Sequence, residues 1–475
     1  MRTTMVITAL TGAFLLSAAG TAAADDNTGF DSYVRAYVER TGLPGAMVAV
    51  TKGDKVVLTA GYGHTADGAA ITKDTPMPLA SVSKSFTALA VTKLAEEGKV
   101  ELDAPVRRYL PEFTMADPRA AKITVRQLLN QTSGMSDRSF PELTLDAPAT
   151  LKDSVAMLRT AGLDSAPGAR YHYHNPNYSL LARLVEVVVK RPFAEHMAAG
   201  VFRPLGMNAT KTVDTTRELP GAAKGYVRAY GQVVPRTHPT WFINGSYGMV
   251  STAADMSRWL IAQNGDQAAI KATHQPSGVG GSAYAMGWAG TETPGGRPML
   301  KHTGWLLTHN SAQVLLPGSG YGIAVVTNTG MVSGDDASII ADGLVDLAEG
   351  RPDQGLAPFT ATADPILAGM TLLTLALGVL GGYRARTWAR RRSGRATWRL
   401  AVRLAPYALP VALFAGLAEL FGLLMNRSGT LAQISYAWPA LFVWSATAAV
   451  TALVVAGLRV FHTVRARRRT APFTG

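Results

Sequence analysis

The sequence predicts an α+β fold: an antiparallel sheet flanked by helices, a helical subdomain across residues 100–240, and three C-terminal transmembrane helices. Three observations carry this expectation. Residues 46–51 and 55–61 are β-favouring runs on either side of Gly53-Asp54, which is a hairpin signal. Residues 81–97 repeat apolar side chains with helical spacing. After residue 364, apolar stretches at 366–383, 404–425 and 435–458 are each long enough to cross a hydrocarbon core of about 30 Å.

Taken in chain order, the first element is a leader. Met1-Arg2 gives a basic tip, residues 5–19 are apolar, and Ala22-Ala23-Ala24 supplies small residues, so residues 1–24 read as a signal peptide cut before Asp25. An uncleaved anchor is the alternative. A large domain over residues 25–350 follows the leader. Besides the hairpin and the 81–97 helix, residues 124–129, 178–189 and 254–262 read as helices, and 311–316 and 321–327 as late, buried strands. Pro352, Pro358 and Pro365 mark residues 351–365 as a linker into a transmembrane region over 366–475. No internal repeat is present.

The net charge of +13 invites a nucleic-acid reading, but its distribution argues against one. From Ile366 onward there are fourteen arginines and one acid, Glu419, so everything before that point is electrically balanced. Eight of those arginines, from Arg384 to Arg403, fill the link between the first two apolar stretches, and Arg465, Arg467, Arg468 and Arg469 follow the third. The positive-inside rule then puts that link and the C-terminus in the cytoplasm and residues 25–364 outside, as a multi-pass protein of the cell membrane with an extracytoplasmic main domain. Glu419 inside a span is a functional candidate by default, and snorkelling or pairing with Arg427 is the alternative account. The chain has no cysteine, which excludes disulfides and thiolate metal sites.

The chemistry starts at Ser81-Val82-Ser83-Lys84. Spacing of three on a helix puts the Ser81 hydroxyl and the Lys84 amine on one face, and an uncharged amine can activate a serine. Tyr173-His174-Asn175 and His302-Thr303-Gly304 come later in the chain. His172 and His174 are two residues apart, but no third, acidic ligand is evident near them, so no metal and no cofactor is expected.

Ser-x-x-Lys, Tyr-x-Asn and His-Thr-Gly in this order resemble the serine β-lactamase and D-alanyl-D-alanine peptidase superfamily, on its class C and esterase side. The resemblance spans residues 28–345. It includes Gln131-Thr132-Ser133-Gly134, Phe202-Arg203-Pro204-Leu205-Gly206-Met207 and Met286-Gly287-Trp288. It implies a β-lactamase/transpeptidase-like fold and an acyl-enzyme mechanism. Ser81 is then the nucleophile, Lys84 and Tyr173 share the proton transfers, and Asn175 orients Lys84 and binds the substrate amide. Thr303 and Gly304 belong to the substrate-binding strand, and the backbone N–H groups of Ser81 and Trp305 hold the oxyanion, each such donor contributing about 3 kcal/mol.

Departures from the family pattern narrow the substrate. Penicillin-hydrolysing members mostly have lysine where His302 stands, so efficient β-lactam hydrolysis is not expected. Past it, Trp305-Leu306-Leu307-Thr308-His309-Asn310 replaces small residues, and the Asn310 amide is able to read another amide, or else only satisfies local backbone. The layout of leader, catalytic domain and three spans is similar to the membrane-bound prodrug-maturing peptidases typified by the colibactin peptidase. That likeness implies removal of an N-acyl-D-Asn-type cap from a peptide or acyl-peptide substrate at the lipid bilayer, with an exporter as a candidate partner. A cell-wall D,D-carboxypeptidase, an esterase, a weak β-lactamase and a catalytically silent sensor are the competing readings.

Overall fold

In the computed structural model, residues 26–331, 335–425 and 427–470 are described, so the expected leader lies outside them. Seven strands form one antiparallel sheet: β1 (Gly45–Lys52), β2 (Lys55–Gly63), β3 (Tyr284–Ala285), β4 (Trp288–Glu292), β5 (Pro298–Leu306), β6 (His309–Leu316) and β7 (Tyr321–Thr327), in the order β2-β1-β7-β6-β5-β4-β3. The expected hairpin is β1–β2 and the expected late strands are β6 and β7.

The sheet is covered on both faces, which explains why its central strands read as near-continuous apolar runs. In β1, Ala46, Val48 and Val50 pack with Val34 and Tyr37 of the Asp26–Thr41 helix and Ile340 and Leu344 of the Asp336–Ala348 helix. Met47 and Ala49 alternate to the opposite face, against Phe86 and Trp259 of the Ser83–Glu96 and Ala253–Gln263 helices. The other expected helices are present as Val125–Leu129, capped by Thr124 and Gln127, and Pro176–Val189. The helical subdomain is not purely helical. Lys224–Ala229 and Gln232–Thr237 form a hairpin around Tyr230 and Gly231, both with positive φ, and Pro235 in its outer strand masked it in the sequence.

The linker ends earlier than expected. A helix runs from Thr360 to Arg390 with Pro365 inside it, little more than a turn from its start, where a proline removes a single backbone hydrogen bond. Two helices, Thr360–Arg390 and Pro439–Arg469, are long and apolar enough to cross a membrane. The expected middle span is a bent pair, Thr397–Ala415 and Leu417–Met425, meeting at 52° beside Gly416. The C-terminal region therefore holds two such helices, or three if the bent pair is one span.

This region is bonded to the domain before it through side chains. Asp364 accepts hydrogen bonds from the Tyr230 backbone N–H at 2.7 Å and from Trp438 Nε1 at 3.0 Å. Arg236 donates to the Ser435 carbonyl at 2.9 Å and stacks on Tyr436, whose hydroxyl donates to the Thr237 carbonyl. The hairpin that seats these contacts is itself anchored by Arg228, which forks onto buried Asp336 at 3.0 and 3.1 Å; Tyr37 and Thr329 donate to the same carboxylate. Arg228→Ala leaves that carboxylate short of its charge partner and is expected to cost about 3 kcal/mol or more, read as a lowered thermal midpoint of the detergent-solubilised chain.

Candidate active site

Ser81 lies in a tight turn (Ala80–Val82) that feeds directly into the Ser83–Glu96 helix. Ala80 just before it has φ of +48°, a conformation that costs a non-glycine residue about 1 kcal/mol or more. The strained turn is held between Leu79, whose carbonyl accepts from Ser311 Oγ at 2.6 Å, and β5. Gly304 makes that approach feasible. A Cβ there would lie 2.6 Å from the Leu79 carbonyl oxygen and 2.9 Å from the Ala80 Cβ, so only a glycine lets the strand abut the nucleophile turn.

Lys84 is fully buried. Its Nζ lies 3.1 Å from Ser81 Oγ, 2.9 Å from Asn175 Oδ1 and 3.0 Å from the Ser246 carbonyl. Burial pushes the amine well below its ordinary pKa, Arg427 pushes it further down, and Glu142 opposes. A neutral amine has two N–H groups and one lone pair. The amide oxygen of Asn175 and the carbonyl of Ser246 can only accept, so they take the two N–H groups and leave the lone pair facing the Ser81 hydroxyl. Tyr173 hydrogen-bonds Ser81 and sets its ring 4.9 Å from Lys84 Nζ. Burial raises the Tyr173 hydroxyl above its ordinary value even against the opposing Ser81 bond and Arg427, so it stays a protonated phenol.

Asn175 sits at the N-terminus of the Pro176–Val189 helix, and its amide orientation is fixed from both ends. Oδ1 accepts from Lys84, and Nδ2 donates to Glu142 Oε1 at 2.5 Å. The Asn175 carbonyl in turn accepts from Ser246 Oγ at 2.6 Å. His302 is buried and pushed down to about 3, by burial first and by Lys84 second, so it is neutral; its Nδ1 faces the Thr303 carbonyl at 2.7 Å and its Nε2 the Tyr284 hydroxyl at 3.4 Å.

The structure thus brings Ser81, Lys84, Tyr173, Asn175, His302, Thr303, Gly304 and Trp305 together. Asn310 is not among them. Its amide is consumed by the Met331 backbone, donating to the carbonyl at 2.9 Å and accepting the N–H at 2.7 Å, behind β5. Of the two reading options for Asn310, local backbone satisfaction is what the fold contains.

Sequence reasoning missed Glu142 and Arg427. Arg427 lies between Leu417–Met425 and Leu431–Ala437, and the expected alternative of pairing with Glu419 is not what it does. It donates to Asp137 Oδ2 at 3.0 Å and to Glu142 Oε1 at 3.3 Å, and lies 5.5 Å over the Tyr173 ring. The third, acidic ligand absent from the sequence reading of the histidines is there in space. Asp137, Glu142 and His174 bring ligand atoms within 4.8 Å of one another, but the Arg427 guanidinium already supplies the positive charge between the two carboxylates. His172 points elsewhere, toward Asp164 at 3.4 Å.

Above Ser81 opens a cleft of about 500 Å³. Tyr171, Tyr247, Tyr284 and Trp241 line its catalytic side. Phe421, Met425, Ile434 and Ala437 of the C-terminal helices form an apolar far wall. No sequence motif announced that wall, because each of its residues also reads as ordinary membrane-helix composition.

A family model described as Beta-lactamase matches residues 30–342. Protein flp of Staphylococcus aureus (strain N315) is 29% identical over 319 residues, covering 64% of this chain and 63% of its own length, so the chain spans less than two thirds of that relative. Penicillin-binding protein 4 of Amycolatopsis lactamdurans is 29% identical over 344 residues, covering 66% of this chain and 89% of its own. Among solved structures, a D-stereospecific amidohydrolase from Streptomyces sp. shares the fold with a TM-score of 0.52 and 23% identity, over 64% of this chain and 94% of that one. With the family match covering the sheet, the Ser81 turn and the His302 strand alike, the chain belongs to the beta-lactamase family and has a serine hydrolase fold.

Proposed function

We propose that the chain is a membrane-anchored, extracytoplasmic serine peptidase that works through an acyl-enzyme. It takes an acylated peptide with a D-configured residue before the scissile amide, and it removes an N-acyl-D-Asn-type cap from a peptide natural-product prodrug. The observation that carries the reaction class is the buried Lys84 amine, held well below its ordinary pKa by burial and set 3.1 Å from Ser81 Oγ. Ser81 Oγ attacks the amide carbonyl and its proton passes to Lys84. The oxyanion forms beside the backbone of Ser81 and Trp305. The Tyr173 phenol, bonded to Ser81, gives its proton to the departing amine and takes the one held by Lys84; the amine leaves as the C–N bond breaks, Lys84 is neutral again, and Ser81 holds the acyl ester. Water then adds to that ester, giving up its proton to Lys84, which passes it to Ser81 Oγ as the acyl C–O bond breaks and the acid is released.

Charge supports a neutral acyl amide over a carboxylate-bearing substrate. Among the described residues lining the cleft, Lys301 pairs with Asp342 at 2.5 Å, Arg427 pairs with Asp137 and Glu142, and His302 is neutral. No lining cation is left to hold the terminal carboxylate of a D,D-carboxypeptidase substrate or of a penicillin. The apolar wall from the C-terminal helices supports a substrate with a lipid tail, and the two long apolar helices support anchoring in a bilayer. The shared fold with a D-stereospecific amidohydrolase from Streptomyces sp. supports D-selectivity. Asn310 no longer supports the D-Asn side chain, so that residue choice rests on the layout alone.

Purified full-length chain is expected to release an N-acyl-D-Asn fragment from an N-myristoyl-D-Asn amide, with Ser81→Ala inactive and the L-Asn isomer uncleaved. Faster release of D-Ala from N-acyl-D-Ala-D-Ala would overturn the prodrug reading in favour of a wall carboxypeptidase. Gly304→Ala drives a methyl against the Leu79 carbonyl and is expected to lower ester turnover about 100-fold or more, with unchanged far-UV circular dichroism. Wild-type turnover in that variant would show that the β5 approach does not matter.

A further inference from the structure

We infer that Arg427 and Glu142 form a positioning clamp that aims the Asn175 amide at Lys84, so that the Ser81 site is competent only when the segment of residues 427–437 is seated. The inference rests on the acyl-enzyme reading of Ser81 and goes beyond it, because it assigns a role in the chemistry to the C-terminal region.

The geometry runs in one unbroken line. Arg427 holds Asp137 and Glu142, and Ser428 adds its backbone N–H to Asp137 Oδ2 at 2.8 Å and its hydroxyl to the Asp137 carbonyl. Gln433 ties the same segment to the Leu143 carbonyl at 2.8 Å, next to Glu142. Glu142 then accepts from Asn175 Nδ2, which leaves Oδ1 as the only end of that amide able to face Lys84. A flipped amide would present an N–H to the amine and compete for its lone pair. Arg427 touches no reacting atom, so it acts through Glu142 and Asn175.

Charge gives the clamp a second handle. The groups facing Lys84 are Tyr173, Tyr178, Tyr247, His302, Glu142 and Arg427. His302 is neutral and burial raises all three phenols, so Arg427 and Glu142 are the groups that bring charge to the amine. Arg427 lowers the pKa of Lys84 and Glu142 raises it. Burial pushes Glu142 itself up to about 7, with Arg427 holding it down, Asp137 pushing it up, and the Asn175 bond and Lys84 holding it down; Tyr173, Tyr247 and His174 also pack nearby. Acylation needs neutral Lys84, so its rate rises with pH through the lysine pKa. Removing the anion moves that acid limb to lower pH, and removing the cation moves it to higher pH.

The test is the second-order rate at which a fluorophosphonate labels Ser81 in the full-length, detergent-solubilised chain, followed against pH. Glu142→Gln is expected to move the acid limb down by about one unit. Arg427→Gln in the Glu142→Gln background, where no carboxyl is left at position 142 to take up a proton and mask the effect, is expected to move it back up by a similar amount. Arg427→Lys, which keeps the charge, is expected to label with the wild-type limb. Opposite shifts are the signature, since mere destabilisation lowers labelling at every pH. Wild-type labelling with limbs that differ by less than about 0.3 unit among all four proteins overturns the clamp alone. No labelling of the wild-type chain overturns the hydrolase reading and the clamp with it.

Discussion

The site depends on keeping one lysine amine dry. A fully buried Nζ is tolerable only uncharged or paired, and this one meets two obligate acceptors and a hydroxyl rather than a carboxylate at contact distance. Much of the fold serves that arrangement. The Ser83–Glu96 helix supplies the amine, the Pro176–Val189 helix starts at the asparagine that orients it, and the backbone at Ser246 closes the third side. A carboxylate in direct contact with Nζ would hold the proton on it. Glu142 is kept one amide away, close enough to fix Asn175 and too far to pair with the lysine.

Strain and close approach meet at the nucleophile. Ala80 takes a left-handed backbone conformation, and β5 comes so near that a methyl at Gly304 has no room. Such strain persists only where surrounding structure over-determines it. Here the Leu79 carbonyl is held by Ser311 and the Leu79 N–H bonds to Met249, so the turn is pinned from two strands before the helix begins.

How much of this was legible in the sequence follows the range of each interaction. Ser81 and Lys84 are three residues apart across the turn that opens one helix, so local spacing exposed them, and Tyr173 and Asn175 were singled out by the family resemblance that their motif carries. The sheet and its covering helices were legible for the same reason: alternation and helical period are local signals. Glu142 and Arg427 carry no motif and meet across 285 residues of chain, which no periodicity records. Asn310 stayed open between two readings because the partner of a strand residue is set by long-range register. It pairs with Trp305 across the β5–β6 ladder, and its amide meets Met331 behind it. The middle apolar stretch hid its bend because Pro406, Pro410 and Gly416 read as tolerable inside a membrane helix, yet together they break it.

That break matters to the site's shape. A straight middle helix would carry its end away from the Ser81 cleft. The 52° bend turns Leu417–Met425 so that Phe421 and Met425 face the cleft and Arg427 reaches the acids at positions 137 and 142. The same short stretch thus supplies an apolar wall and a cation whose charge is already spent on two carboxylates. In the proposed reading the wall receives a hydrocarbon substituent of the substrate, and the paired cation offers nothing to a free carboxylate. Both properties come from a region that family likeness does not cover, since the family match stops at residue 342. In the proposed chemistry, the shared fold decides which bond is attacked, and the C-terminal helices decide whose bond it is.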